Sequence, residues 1–374
     1  MQTELSCIIC VIDVNITKLL DQVLADLALP EVFIQRAKQM SLEDKRGFLG
    51  LHPTTKLDES RALIYRFYVP YRFEQGVMRR VVEVTDLKMG GRGCIFAQRI
   101  VQWRGMPNLF DEKKLETLCG MENHLPPEGH VLICCTVPRG LGDSLSAAVL
   151  ELGVCVPVVF FGSGVGLRDK LGLLRITVPV EKEIIWFLVP QSDADLVEKT
   201  LIPRARLDVP GHGFLYKIFV HAPVVNLRVR QGKRLHAATM EQVISAMDEV
   251  RGSSDWRRLG ARIMHKVKNN ADDTKGLFFI GEEEEVELFR QTAMENGARG
   301  ATLNQLEMRS YHAVEAEQAM ESHSREFCDI IIPASIEQAI LDSIEKAGLF
   351  DEGRDCIMKV LPVEMSGAIR RRTG

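Results

Sequence analysis

One order of features recurs three times along this chain, and it restricts the fold more than any composition value does. Its clearest copy runs from Glu183 to Arg234. An apolar run, Ile184 to Val189, closes at Pro190, and a helix-like segment with Asp193, Asp195, Leu196 and Val197 follows. A glycine turn, Gly211-His212-Gly213, then opens a second apolar run, Phe214 to Val220, which leads into a basic tail with Arg228, Arg230 and Arg234. Strand, helix, glycine turn, strand and basic tail is the reading. Upstream, Leu63 to Val69 ends at Pro70, and Gly91-Arg92-Gly93 opens Cys94-Ile95-Phe96 at the same distance from its proline. Downstream, Phe327 to Ile332 ends at Pro333, Ser335 to Ala347 has helical periodicity, and Gly353-Arg354-Asp355 precedes Cys356-Ile357-Met358. The closing prolines, at 70, 190 and 333, are too widely spaced for a stacked solenoid, so the copies read as domains.

Within the first copy, Ser6 to Ile12 is an apolar strand, and Leu19, Leu20, Val23, Leu24 and Leu27 recur at helical spacing. Val32 to Ala37 is a second strand, and the charged, turn-rich stretch Lys38 to Ser60 reads as a long exposed loop. Leu63 to Val69, a helix over Phe73 to Leu87, and Cys94 to Val101 complete a βαββαβ unit. The second copy runs Val131 to Cys135, a helix over Leu141 to Leu152, then Pro157 to Phe161 and a glycine-rich loop starting at Gly162. The third starts at Leu277 to Ile280, with Glu282 to Glu285 at the head of a helix. The expected organisation is residues 1–106, a linker 107–129, residues 130–235, a linker 236–275 with an extra helix over Met240 to Val250, and residues 276–374.

Strands such as Val131 to Cys135 do not alternate apolar with polar, so both faces of each sheet must be covered. In a βαββαβ unit both helices lie on one face, because the crossover hand places them there. The other face needs a partner. The expected fold class is therefore α+β, three ferredoxin-like βαββαβ repeats whose sheets face one another about a pseudo-threefold axis, in a monomer that mimics a trimer.

Net charge is −4 with pI near 6.2, which supplies no global basic field for a nucleic-acid backbone. The first residues carry no basic leader and no apolar run reaches membrane-spanning length, so a cytoplasmic location without membrane insertion is expected. The nine cysteines mostly sit in apolar runs and read as reduced core residues; Cys7-x-x-Cys10 lies within a strand, where residues three apart point to opposite faces. No histidine pairs with Cys or Asp at ligand spacing, and no nucleophile elbow, Walker loop or HExxH is present, so neither a metal site nor an enzyme is expected.

The glycine turns with their following strands, Lys217-Ile218-Phe219-Val220, Leu361-Pro362-Val363-Glu364, and the tails Arg228 to Gly232 and Ile369 to Gly374 resemble the PII nitrogen-regulatory signal proteins. That resemblance implies ferredoxin-like domains, a role in signal transduction through a regulated protein partner, and adenine nucleotides such as ATP or ADP as effectors in clefts between repeats. It carries ligand-binding roles onto Gly91, Arg92 and Gly93, onto Gly211, His212 and Gly213, and onto Lys217, Arg228, Arg230 and Arg234. Gly162, Gly164 and Arg168 could present further donors to an anion. Departures are visible: the family's lysine after the turn is Cys94, Phe214 or Cys356, and Asp355 would oppose a phosphate. Plainer readings stand beside these. Gly-x-Gly before a strand can be only a tight turn, tail arginines can be solvated, and Glu282 to Glu285 suits a helix N-terminus. Two function classes follow: a sensor of a small anionic metabolite that acts on a partner, or a scaffold that kept the pseudo-trimer and lost the ligand.

Overall fold

The computed structural model describes residues 4–45, 54–105, 110–119, 129–166, 180–209, 211–226, 228–231, 274–311, 322–351 and 353–366. The first segment comprises β1 (Leu5–Asp13), α1 (Thr17–Asp26), β2 (Val32–Lys45), β3 (Thr54–Pro70), α2 (Glu74–Thr85) and β4 (Gly93–Ile100), followed by β5 (Gln102–Gly105) and α3 (Glu112–Cys119). The second comprises β6 (His130–Pro138), α4 (Gly142–Leu152), β7 (Val158–Gly166), β8 (Val180–Pro190), α5 (Gln191–Ala205), β9 (Phe214–Val224) and the short β10 (Arg230–Gln231). The third comprises β11 (Thr274–Gly281), α6 (Glu283–Glu295), β12 (Gly300–Arg309), β13 (Ser322–Pro333), α7 (Glu337–Lys346) and β14 (Ile357–Ser366). The fold is mixed α+β, with these strands joined in one large, mainly antiparallel sheet. No helix among the described residues is long and apolar enough to cross a membrane.

In each segment the first strand is central. β1 lies between β3 and β4, β6 between β8 and β9, and β11 between β13 and β14. The outer strands β2, β7 and β12 then pair with one another. Lys38 and Gln39 of β2 face Val159 and Val158 of β7; Ser163 to Gly166 of β7 face Leu303 to Gly300 of β12; Glu307 to Arg309 of β12 face Ile34 to Val32 of β2. Three half-strand pairings thus close a ring. The last strands also link segments, β4 to β9 and β9 to β14, while β5 pairs with β14.

β1 shows why its apolar run does not alternate. Cys7, Ile9 and Val11 enter a central core shared with Trp186, Tyr216, Phe278 and Phe327 of the other segments. Ile8, Cys10 and Ile12 enter a separate core under α1 and α2. Successive side chains of a strand point to opposite faces, so two apolar environments require an unbroken apolar run. Cys7 and Cys10 accordingly lie in different cores. α4 and α5 cover the second segment, and α6 and α7 the third, in the same way. At the head of α6, Glu282 and Glu285 form a capping box, with the Glu285 carboxylate accepting from the Glu282 N–H at 2.9 Å.

Three sequence expectations change. Lys38 to Ser60 is not a long loop: β2 continues to Lys45 and β3 begins at Thr54. Met40 and Leu42, one turn of the pleat apart, insert into the core of the second segment, which gives the extended hairpin an apolar face that no local pattern advertises. The span 107–129 is not only a linker, because α3 buries Leu115 against the first segment's helical core, and Gly76 of α2 leaves room for Cys119. Gly162, Gly164 and Gly166 lie in β7 rather than in a loop. The expected helix over Met240 to Val250 falls outside the described residues.

Candidate ligand cleft between the first and second segments

The helices before the first two glycine turns end on a left-handed residue. Asp86 (φ 49°) caps α2 and Arg206 (φ 52°) caps α5, and the turns then run through Gly91 and Gly93 and through Gly211 and Gly213, all at positive φ. The second glycine of each pair is a packing residue. A Cβ on Gly93 would lie 1.8 Å from the Val11 carbonyl oxygen, and one on Gly213 would lie 2.2 Å from that of Thr136. Only glycine admits both the backbone angle and the approach to the central strand. The His212 N–H donates to the Val209 carbonyl within the same turn.

Gly91 has a different neighbour. The tail of the second segment reaches this turn, and the Asn226 Oδ1 accepts from the Gly91 N–H at 3.2 Å and from the Arg228 N–H at 3.1 Å. The Asn226 side chain thus ties the tail of the second segment to the turn of the first. The Arg228 guanidinium lies across the turn, Nη1 donating to the Gly90 carbonyl at 3.4 Å, while the residue stays exposed. Beneath it, Asn226 Nδ2 donates to Gln39 Oε1 at 2.9 Å, and Gln39 Nε2 is buried without a hydrogen-bond partner. Gln39 comes from β2, Asn226 and Arg228 from the second segment's tail, and Gly91 from the turn before β4. An exposed guanidinium, a buried amide donor without a partner and a glycine turn are thus linked through Asn226, which takes up the Gly91 and Arg228 N–H groups itself.

The remaining expected residues are distributed differently. Arg92 donates from Nη1 to the Thr85 carbonyl at 2.9 Å and lies 3.7 Å from Asp86, so it closes its own helix end. Lys217 is buried between Glu198 Oε2 at 2.7 Å and Glu364 Oε1 at 3.1 Å. Burial pulls its ammonium down, but the two carboxylates outweigh that and hold it above its ordinary value. With its charge compensated twice, Lys217 has none to offer a phosphate. Gly211 and Gly213 are not joined by Arg228, which sits on the first segment's turn instead. Gly162 and Gly164 are strand residues in close contact with Asn304 and Lys182. Arg230 belongs to β10, whose backbone pairs in parallel with Leu42 and Glu43 of β2. Arg168 and Arg234 lie outside the described residues.

The third turn carries its own charge pair. Arg325 donates from Nη2 to Asp355 Oδ2 at 2.7 Å, and its Nη1 lies 3.3 Å from Glu282 Oε1. Asp355 therefore stands where an external anion would compete for Arg325. Sequence reasoning did not single out Gln39 or Asn226. Neither lies in a motif, and their juxtaposition arises only when the second segment's tail crosses the first segment. Among the described residues no group of three or more His, Cys, Asp or Glu is placed to hold a metal ion.

No protein-family model and no curated protein matches this chain. Among solved structures it is similar to B. subtilis GlnK in complex with ATP, at 18% identity, covering 26% of this chain and 85% of that chain, with a TM-score of 0.20.

Proposed function

We propose that this chain is a non-enzymatic, PII-like regulatory protein in which three βαββαβ repeats, residues 1–106, 130–235 and 276–374, stand about a pseudo-threefold axis and act as a trimer in one polypeptide. The closed ring of β2, β7 and β12 supports this reading, because each strand uses its two halves for two different neighbours in cyclic order. The protein senses a small anionic metabolite, an adenine nucleotide such as ATP or ADP, in the cleft of Gly91, Asn226, Arg228 and Gln39, and passes that state to a protein partner in the cytoplasm. The observation that carries the ligand reading is the exposed Arg228 guanidinium seated over Gly90 and Gly91, with Asn226 linking this turn to Gln39, whose buried Nε2 has no hydrogen-bond partner.

Thermal unfolding with ATP, ADP, AMP and cyclic nucleotides tests it. A ligand at 100 times its dissociation constant adds about 2.7 kcal/mol. Arg228→Glu should remove the nucleotide-dependent shift and leave the far-UV spectrum unchanged, since a surface charge contributes little to the fold. A flat panel sinks the nucleotide reading. One observation favours the alternative, a ligand-free scaffold: Lys217 and Arg325 are already neutralised by the protein's own carboxylates. In that case the hairpin of β2 and β3 still captures its partner although no ligand binds.

A further inference from the structure

The ring of β2, β7 and β12 leaves an opening where each strand changes neighbour. It forms a depression of about 820 Å³, within the range that holds small molecules. Arg36, Phe161 and Gln305, exposed and near the midpoints of the three strands, line it. The ring of Phe161 is half exposed and carries the Arg139 guanidinium over it, 5.7 Å from the centroid.

Most charges in this depression cancel. Arg139 donates to Glu181, and Arg309 donates to Glu307 at 2.6 Å. Three polar groups keep unmet capacity among the described residues: Arg36 has no ion pair, Glu326 no cation and Asn304 Oδ1 no hydrogen bond. Among the described residues no carboxylate lies within ion-pair distance of Arg36: Glu307 feels its charge but spends its oxygens on Arg309 and Ser322. Glu326 accepts from the neutral Gln305 amide and, among the described residues, meets no cation, while Glu283 and Glu287 add negative charge around it; burial first, and these neighbours next, push its carboxyl up. Asn304 is buried on the floor, and its Oδ1 has no hydrogen-bond partner. A buried acceptor left without a donor is unfavourable, so the site is short of a donor.

We propose that this depression binds a free α-amino acid as a zwitterion. Its carboxylate pairs with Arg36, its ammonium donates to Glu326 and to Asn304 Oδ1, and its side chain lies against Phe161 and Leu63. The complement follows from what is missing, one anion, one cation with N–H donors, and an apolar body. A nucleotide supplies the anion but no cation for Glu326. This site is separate from the Gly91 cleft and does not rest on the nucleotide reading.

Isothermal calorimetry on the full chain, titrated with each protein L-amino acid, finds the best ligand. That ligand is then compared with its decarboxylated amine and its 2-oxo acid, and with the variants Arg36→Gln and Glu326→Gln. Each change should weaken binding by at least about tenfold, the loss of one charge-assisted contact. Arg228→Glu should bind the amino acid as the parent does, which separates failure here from failure of the nucleotide cleft. The proposal is overturned if no amino acid binds, if either analogue or either variant binds as tightly as the intact pair, or if Arg228→Glu abolishes the signal.

Discussion

The guanidinium of Arg66 lies over the indole of Trp186, its central carbon 5.1 Å from the ring centroid. The two residues hold corresponding places in different segments, Arg66 opposite Ile9 on the central strand β1 and Trp186 opposite Cys134 on β6. The third such place, opposite Phe278 on β11, is Asp329, which accepts from the Tyr216 hydroxyl at 2.8 Å. A single chain can set a cation on an aromatic face and give the carboxylate its own donor, so this layer of the central core is asymmetric by composition.

Trp186 is buried and also packs edge-on against Phe96 and Phe160, at 6.1 and 5.0 Å between centroids. Trp186→Ala should cost about 4 kcal/mol by cavity formation and loss of the cation–π face. Phe161→Ala, on an exposed neighbour, should cost less than about 1 kcal/mol. Urea unfolding of both variants decides this, and comparable losses would contradict the packing described.

Asp329 gives a pH signature. Burial first raises its carboxyl from an ordinary 3.8 to about 6, against the lowering effect of Tyr216, Thr302 and Arg66. The folded chain therefore holds this proton more tightly than the unfolded chain, and stability falls as pH rises from about 4 to about 6. Above that window the ionised group costs on the order of 3 kcal/mol. Asp329→Asn, which keeps an acceptor for Tyr216, removes this titrating group. Its stability relative to the parent should rise between pH 4 and pH 8, read from urea midpoints. A difference independent of pH would show that Asp329 does not titrate there.

Gly93 and Gly140 separate backbone strain from close approach. Both have positive φ, 139° and 97°, but a Cβ on Gly140 meets nothing within 4 Å, whereas one on Gly93 meets the Val11 carbonyl oxygen. Gly140→Ala should cost about 1 kcal/mol, the left-handed penalty alone. Gly93→Ala should exceed about 3 kcal/mol, because β1 or β4 must shift. Equal melting temperatures for the two variants would remove the contact between turn and central strand.

Much of the secondary structure was legible. β3, β8 and β13 end at Pro70, Pro190 and Pro333, where the apolar runs stop, and unbroken runs such as Ile184 to Val189 announced strands covered on both faces. The extension of β2 and β3 was not legible, since its outer half is polar except for residues such as Met40 and Leu42, whose core belongs to another segment. The candidate cleft was half legible. Gly91 and Arg228 stood out as residue types, but the sequence order suggested that Arg228 would return to Gly211 and Gly213 of its own segment.

The order of strands and helices, the need to cover both faces of each sheet, and the glycines that let turns approach a central strand are local properties, carried by periodicity and by backbone angles that few residues adopt. Which tail meets which turn is not local. Hydrogen bonds from Gly91 to Asn226, the capture of Lys217 by Glu198 and Glu364, and the stacking of Arg66 on Trp186 join residues far apart in sequence. Their energies depend on burial and distance, which exist only once the strands have paired across segments, so the tertiary structure alone decided which charges were spent inside the protein and which were left exposed.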